Sequence, residues 1–196
     1  MDSIEYYSQN ASEYFEHTVD IDMKEDWERF TELLPEGGSI LDLGCGSGRD
    51  SEHFISLGFD VTAMDASEEM CDLASIHIGQ DVLNLTFDEI DFEEVFDGIW
   101  ACASLLHVSG SRIDDIMDKV VKSLKGDGVL FMSFHYGDFE GERSSRYYKD
   151  YRTKALKELI ARQKELELIE IWKEDENRDD SDKAWICVLA RKSEQE

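Results

Sequence analysis

The stretch Ile40-Leu41-Asp42-Leu43-Gly44-Cys45-Gly46-Ser47-Gly48-Arg49-Asp50 decides how this chain folds. Its apolar first part runs into three glycines separated by single residues, a pattern typical of a buried strand, a tight turn and the start of a helix. Glycine adopts backbone angles that other residues resist, and without a side chain it lets a ligand approach the main chain closely. The stretch therefore predicts a ligand-binding turn at the end of a strand.

The spacing of the glycines narrows the kind of ligand. A dinucleotide-binding turn has the pattern Gly-x-Gly-x-x-Gly, with its last glycine where this chain has Arg49. Here the pattern is Gly-x-Gly-x-Gly, and Asp42 lies two residues before the first glycine, where it would repel a pyrophosphate. A second acid, Asp65, ends another apolar run, and a carboxylate at a strand end can accept hydrogen bonds from ribose hydroxyls. The two acids favour a nucleoside without phosphates.

Strand and helix patterns alternate through the rest of the chain. Gly58 suits the end of one helix, and Ser67 suits the N-cap of the next. Apolar strands in such an alternation indicate a mostly parallel sheet that is covered on both faces and binds ligands beyond the carboxyl ends of its strands. We predict one domain over residues 1–196, with a helical arm over 1–35 and an α/β core over 36–196.

The remaining elements follow from periodicity and turn signals. Two helices are expected before the first strand, and the polar segment 137–151 is expected to be a loop. Residues 174–182 are expected to form an exposed acidic turn. The later strands are expected over residues 81–86, 96–101, 129–134, 166–172 and 185–190, and the later helices over 113–124 and 155–162.

Composition restricts the possible partners. The chain has 46 acidic and 20 basic residues and a formal net charge of −26, which is unfavourable for approaching nucleic acids or anionic membranes. Neither is expected as a partner. The four cysteines lack Cys-x-x-Cys spacing, and no signal peptide or long apolar span is evident, so we expect reduced thiols and a cytoplasmic protein. No motif has metal-ligand spacing or the pattern of a nucleophile elbow, so no metal and no covalent catalysis are expected.

Three motifs carry a family resemblance: LDLGCGSG, VTAMDAS and FDGIWACASLLHV, which start at residues 41, 61 and 96. They resemble the class I S-adenosylmethionine (SAM)-dependent methyltransferases, in particular small single-domain bacterial proteins similar to tellurite-resistance and methyltransferase type 11 proteins. The resemblance runs from about residue 6 to about residue 190. It implies a Rossmann-like fold with a mostly parallel seven-stranded sheet flanked by helices, SAM as cofactor, and methyl transfer to a small-molecule acceptor. It leaves the oligomeric state open.

The resemblance also implies which residues form the site. Similar enzymes often place a carboxylate after the third strand to meet the adenine amino group, but this chain has Thr86 at that position, so we expect main-chain groups near Phe87 to read the base. The expected cofactor-binding residues are Asp42, Gly44, Cys45, Gly46, Asp65, Ala66, Phe87 and Ala101. The candidates for the acceptor pocket are Tyr7, Tyr14, His135, Tyr136 and Arg146.

Methyl transfer explains why so little catalytic equipment is visible. The sulfonium is already an activated leaving group, so holding the acceptor in line is the main requirement. A base helps only where the acceptor is protonated, and His107, just past the fourth strand, is then the candidate, since histidine titrates near neutrality. Its ordinary role would be packing or capping.

Two other kinds of function fit the same motifs. One is a non-catalytic SAM-binding module that keeps the cofactor loop and has lost the acceptor site. The other is a nicotinamide-dependent oxidoreductase, against which the spacing of the third glycine argues. The identity of the acceptor and the methylated atom stay open.

Overall fold

A computed structural model describes residues 3–174 and 184–194. These described residues form nine strands, of which seven make one sheet in the order β3-β2-β1-β4-β5-β9-β8 and two make a separate hairpin. The last strand in sequence runs antiparallel to both its neighbours, and the other neighbours in the sheet are parallel. The mostly parallel seven-stranded sheet is therefore confirmed. The strands are β1 (Ser39–Leu43), β2 (Asp60–Asp65), β3 (Leu83–Asn84), β4 (Phe96–Ala101), β5 (Leu124–His135), β6 (Glu140–Arg143), β7 (Arg146–Lys149), β8 (Leu166–Glu174) and β9 (Trp185–Lys192).

Three helices precede β1, where two were predicted. The aromatic pattern runs on across Asn10, but this residue leaves helical backbone angles, and its side-chain amide donates to the main-chain oxygen of Tyr6 at 2.7 Å. An amide side chain that bonds to the main chain competes with helix continuation, so the first helix ends there. The helices are α1 (Ser3–Gln9), α2 (Ala11–Thr18), α3 (Lys24–Thr31), α4 (Arg49–Ser56), α5 (Glu68–Ile78), α6 (Ile113–Ser123) and α7 (Thr153–Arg162).

The segment predicted as a loop after β5 forms the hairpin β6–β7, so that prediction was wrong. Its turn residues Ser144 and Ser145 have positive φ angles of 50° and 62°, as a type I′ turn requires. Such turns usually show Asn-Gly or Asp-Gly, and Ser-Ser carries no such signal. The predicted acidic turn lies outside the described residues except for Glu174, which ends β8.

Both faces of the sheet are covered by apolar side chains. On one face Trp100 stacks on Phe131 with ring centroids 3.8 Å apart, and Phe30 and Phe54 pack against Trp100. The helices α6 and α7 bury their apolar stripes on the other face, Val120 among them. Each such side chain stabilises the fold by about 1.5–3 kcal/mol when fully buried. This core fixes the carboxyl ends of β1, β2 and β4 side by side, because the three strands are parallel neighbours.

Within the described residues, no helix is both long and apolar enough to cross a bilayer.

Candidate functional site

A cavity of about 980 Å³, including solvent at its mouth, opens beyond the carboxyl ends of β1, β2 and β4. Its walls come from the glycine turn after β1, from the segment after β2 and from residues 102–104 after β4. The arm helices α1 and α2 cover it with residues such as Tyr7 and Tyr14. The cavity therefore lies where a parallel α/β sheet binds its ligands.

The glycine turn is held by main-chain hydrogen bonds to β2. The amides of Gly44 and Cys45 both donate to the main-chain oxygen of Met64, each at 2.9 Å, which ties the turn to the end of β2. Gly44 has a φ of +78°, and a Cβ added there would lie 2.6 Å from the Cβ of Ser104. Gly44, Cys45 and Gly46 line the cavity, as predicted for cofactor-binding residues. Only a residue without a side chain fits at Gly44.

Asp65 ends β2 and faces the same cavity. Its Oδ2 accepts from the amide of Gly46 at 3.0 Å, and its Oδ1 accepts from the amide of Ser67 at 2.9 Å. Burial raises the pKa of Asp65, although these main-chain hydrogen bonds oppose the shift. The carboxylate therefore fixes the glycine turn from the side. Ala66, the next residue, also lines the cavity.

The arm closes the cavity by contacts with the turn and the hairpin. Tyr14 lies over the turn, because a Cβ on Gly46 would be 3.4 Å from its ring carbon Cε1. Thr18 donates to the hydroxyl of Ser47 at 3.2 Å. The rings of Tyr14 and Tyr7 meet edge to face at 4.9 Å. Both predicted tyrosines thus line the cavity.

His107 lies in a short 3₁₀ turn after β4 and lines the cavity. Its Nε2 is 2.9 Å from the hydroxyl oxygen of Tyr7, and its Nδ1 is 2.7 Å from the main-chain oxygen of Tyr147 in the hairpin. The histidine therefore joins the arm, the sheet and the hairpin at one point of the cavity wall.

Asp42 does not line the cavity, so the structure gives no support to its predicted place at the cofactor, which stays a prediction. It lies below the turn with 1% of its surface exposed, and its Oδ2 accepts from the hydroxyl of Ser51 at 2.6 Å. Nearby, Asp50 accepts from Arg49 and from the indole nitrogens of Trp27 and Trp100. Burial alone would raise the pKa of Asp50, but Arg49 lowers it overall. Asp42 has no such cation in contact, so it supports the turn as a buried acid.

Asp42 gives folding a specific pH dependence. Burial and then the charge of Asp50 raise its pKa from 3.8 to about 8. Between these pH values the folded protein keeps a proton that the unfolded chain loses, so the stabilising contribution is lost as pH rises toward 8. We expect Asp42→Asn to flatten the fall in unfolding free energy between pH 5 and 8 by at most about 1.4 kcal/mol per pH unit. Urea denaturation at several pH values measures this, with exposed Asp60→Asn as the control; equal slopes in both variants would contradict it.

Three further predicted site residues also lie elsewhere. Ala101 is fully buried in the core of the sheet, and the next residues, Cys102 and Ala103, line the cavity instead. His135 is 1% exposed, and its Nδ1 lies 2.8 Å from Nη2 of Arg143, so the hairpin covers it. Tyr136 carries the ammonium group of Lys173 over its ring at 3.6 Å and is not part of the cavity wall. The side chains of Ala101, His135 and Tyr136 therefore lie outside the cavity wall, which gives no support to their predicted roles at the site.

The segment after β3 supplies Leu85 and Phe87 to the cavity. The predicted strand over residues 81–86 is confined to Leu83–Asn84, because Thr86 begins a 3₁₀ turn in which its amide and hydroxyl bond to Glu89 at 2.9 and 2.7 Å. Thr86 does not line the cavity, whereas Phe87 does.

Arg146 lies behind the cavity wall rather than in it. Its guanidinium carbon is 4.4 Å from the ring centre of Tyr6 and 5.3 Å from that of Tyr148, and its Nη1 donates to the hydroxyl of Tyr7 at 3.3 Å. Its Nε is buried without a hydrogen-bond partner. Arg146 therefore reaches the cavity only through Tyr7, which corrects its predicted place as a pocket residue.

Sequence reasoning missed part of the wall. Thr18, Arg49 and Ser104 line the cavity; Arg49 and Ser104 lie within the quoted motifs but were not predicted as site residues, and Thr18 lies outside the motifs. The small residues after β4 were the available clue, because Ala103 and Ser104 lie immediately beyond the strand end.

The chain matches known methyltransferases in sequence. The model of a methyltransferase domain matches residues 40–128. The protein YqeM of Bacillus subtilis, which carries the name of a methyltransferase, is 36% identical over 119 residues, which are 57% of this chain and 48% of that protein. A ubiquinone biosynthesis O-methyltransferase of Caulobacter vibrioides is 31% identical over 105 residues, 50% of this chain and 41% of that enzyme. The chain thus spans about half the length of the curated relatives it matches.

Solved structures show the same fold at low identity. The 1,6-didemethyltoxoflavin-N1-methyltransferase of Burkholderia thailandensis, solved with 1,6-didemethyltoxoflavin and S-adenosylhomocysteine, superimposes with a TM-score of 0.73 at 22% identity, covering 98% of this chain and 91% of that one. The [4+2]-cyclase SpnF superimposes with a TM-score of 0.74 at 15% identity, covering 99% of this chain and 97% of that one. The fold therefore serves more than one kind of reaction.

Proposed function

We propose that the chain is a class I SAM-dependent methyltransferase, which binds SAM in this cavity and transfers the methyl group to a small-molecule acceptor. The observation that carries the proposal is the glycine turn itself. Gly44 leaves no room for a side chain, and Asp65 is fixed beside it by two main-chain amides. This combination suits a ligand that lies against bare main chain and offers hydroxyl groups to a carboxylate.

The residues of the cavity suggest how SAM would be held. Gly44 and Gly46 would lie under its methionyl part, Asp65 would accept from its ribose hydroxyls, and Phe87 would pack on its base. Bound SAM supplies an activated methyl group, and the chain then has to hold the acceptor in line and keep water out. Tyr7 and Tyr14 cover the cavity in a position suited to both tasks.

Calorimetric titration of the protein with SAM tests the proposal, with NADH as the matched control ligand. Saturable binding of SAM and none of NADH is the expected result. A screen for S-adenosylhomocysteine formation over hydroxyl, thiol, amine and carboxylate acceptors then separates the enzyme from a non-catalytic SAM-binding module, the second candidate. Binding without turnover over the whole screen would favour that module, and the similar fold of SpnF shows that this scaffold is not limited to methyl transfer.

His107 is proposed to act in catalysis rather than in SAM binding. We expect His107→Ala to leave the affinity for SAM nearly unchanged and to lower turnover by roughly 10², the usual contribution of a general base. Calorimetry and initial rates at saturating acceptor measure the two effects. His53→Ala is the control, because His53 stacks on Trp27 away from the cavity. Unchanged turnover in His107→Ala would return the residue to a packing role.

We propose that nucleic acids are not acceptors. The basic cluster of Arg143, Arg146, Lys149 and Arg152 was the only candidate patch, and the structure pairs three of its members with acids. Arg143 bonds to Asp150, Lys149 to Glu140 and Arg152 to Asp138, while Arg146 is covered by tyrosine rings. Nucleic-acid binding usually needs several unpaired cations.

Fluorescence polarization with labelled tRNA and duplex DNA near physiological salt is expected to show no binding. The same assay on Arg146→Ala should give the same flat response. Saturable, salt-sensitive binding that Arg146→Ala abolishes would contradict the small-molecule proposal.

The remaining expectations stand as proposals. A single domain and catalysis without a metal fit the proposed reaction. A reducing cytoplasmic location fits Cys45 and Cys71, whose thiols are free and buried. Among the described residues, Asp26, Glu174 and Cys187 place two carboxylates and a thiol within 4.8 Å of one another, as a metal site would require. This group does not line the cavity.

A further inference from the structure

The hydrogen bonds of His107 define which of its ring nitrogens carries a proton. Its Nδ1 lies 2.7 Å from the main-chain oxygen of Tyr147, and a carbonyl oxygen can only accept, so Nδ1 carries the hydrogen. In the neutral ring Nε2 then holds a lone pair. The hydroxyl of Tyr7, 2.9 Å away, must donate to it.

Arg146, on the other side of Tyr7, supports the same direction of the hydrogen bond from Tyr7 to His107. Its Nη1 lies 3.3 Å from the hydroxyl oxygen of Tyr7, and a guanidinium group only donates. The oxygen of Tyr7 thus accepts from Arg146, and its own hydrogen points to His107. The aromatic rings of Tyr6 and Tyr148 hold the guanidinium in place. A fixed positive charge next to a phenol favours negative charge on its oxygen.

Tyr7 also lies at the right place in the cavity. Tyr14 covers Gly46 of the glycine turn, the ring of Tyr7 is 4.9 Å from that of Tyr14, and the ring of His107 is 5.4 Å from that of Tyr7. Tyr7 and His107 both line the cavity. Tyr7 therefore lies between Tyr14, which covers the turn, and His107, and its ring faces the cavity together with theirs.

We propose, on the basis of the proposed methyl transfer, that Tyr7 is the catalytic residue that takes the proton of the acceptor, that His107 stores it, and that the acceptor is a neutral hydroxyl compound. The acceptor proton moves to the oxygen of Tyr7 while the proton of Tyr7 moves to Nε2 of His107. The acceptor oxygen bonds to the methyl carbon, the carbon–sulfur bond of SAM breaks, and its electron pair stays on sulfur. His107 then returns its proton through Tyr7 to solvent.

The chemistry of the relay selects the class of acceptor. A thiolate or a carboxylate is already ionised near neutral pH and needs no proton acceptor, whereas an alcohol, enol or phenol keeps its proton there. A hydroxyl compound is therefore the acceptor for which a tyrosine–histidine relay lowers the barrier. Arg146 is a positioning residue in this scheme, because it acts through Tyr7.

The first test needs no acceptor. NMR of the full chain labelled with ¹⁵N-histidine resolves the tautomers of its five histidines, and His107→Gln assigns the resonances of His107. We expect His107 to carry its hydrogen on Nδ1, and Tyr7→Phe to shift its Nε2 resonance. Tyr6→Phe is the matched control, because it removes a neighbouring hydroxyl and keeps the ring beneath Arg146. A hydrogen on Nε2, or an Nε2 resonance that does not shift in Tyr7→Phe, would overturn the relay.

The second test compares two acceptors in the assay with SAM. With catechol, Tyr7→Phe is expected to lower kcat by roughly 10² with little change in KM, and with benzenethiol the loss in kcat is expected to be much smaller than with catechol. An equal loss with both acceptors would make Tyr7 structural and reject the relay. Calorimetry with SAM on the wild type is run in parallel: failure to bind SAM rejects the proposed function, while binding with an unaffected Tyr7→Phe on catechol rejects the relay alone.

Discussion

Alanine at Gly44 is expected to abolish measurable SAM binding and to destabilise the fold. Gly44 has a φ of +78°, and the new Cβ would lie 2.6 Å from the Cβ of Ser104, closer than two carbon atoms can pack. The left-handed backbone costs about 1–3 kcal/mol for a residue with a side chain. The clash adds about 1–3 kcal/mol of overpacking, because Ser104 belongs to a buried turn after β4. Chemical denaturation and SAM calorimetry on the same variant measure both effects.

Gly79→Ala is the matched control for the energetic cost of a left-handed backbone at a residue with a side chain. Gly79 ends α5 with a φ of +70°, and nothing lies within 4 Å of a Cβ placed there. It should lose only the energy of the strained backbone and keep full affinity for SAM. If both variants lost stability equally and both still bound SAM, the turn at Gly44 would not be the close-approach site that we infer.

The places of the glycine turn and Asp65 at the cavity could be predicted from the sequence because their geometry is local. The three glycines lie within five residues, and β2 places Asp65 beside them through the register in which Leu43 pairs with Met64. Alternation of strands and helices then gave the parallel sheet, since parallel neighbours require helical crossovers.

Side-chain direction inside a strand was harder to predict. Ala101 directly precedes the cavity residue Cys102 and Asp42 lies two residues before Gly44, but in a strand successive side chains point to opposite faces of the sheet. Asp42 faces Ser51 of α4, and Ala101 faces the core. A residue in a motif lies near the site in the sequence, but the alternation of side chains along the strand determines whether its side chain reaches the site.

The errors at His135 and Arg146 have one source, the unpredicted hairpin. Because its Ser144-Ser145 turn carries no recognisable signal, the segment was taken for a loop that would leave His135 open. In the structure Arg143 of β6 covers His135, and Arg146 of β7 meets the arm at Tyr7. The contact of Arg146 with Tyr7 joins segments 139 residues apart in the sequence, which no local pattern encodes.

Asp65→Ala is expected to weaken SAM binding by more than one to two decades. Loss of one charge-assisted hydrogen bond costs about 1.5–3 kcal/mol, which corresponds to about one to two decades in affinity. The structure adds a second effect, because Asp65 also fixes the amide of Gly46. The turn would lose its lateral support together with the proposed ribose contact. Calorimetric titration with SAM gives the affinity.

The variant Asp65→Asn separates binding from folding. Since burial raises the pKa of Asp65, its surroundings disfavour the charge even with the hydrogen bonds of Gly46 and Ser67 in place. An Asn side chain has one acceptor oxygen and would keep only one of the two main-chain hydrogen bonds, so the free energy of unfolding should fall by at most about 0.5–1.5 kcal/mol while SAM affinity falls. Asp60→Ala, at the exposed first position of the same strand, should change neither quantity. A folded Asp65→Asn protein with lower stability and unchanged SAM affinity would show that this carboxylate supports the fold and that the ribose is held elsewhere.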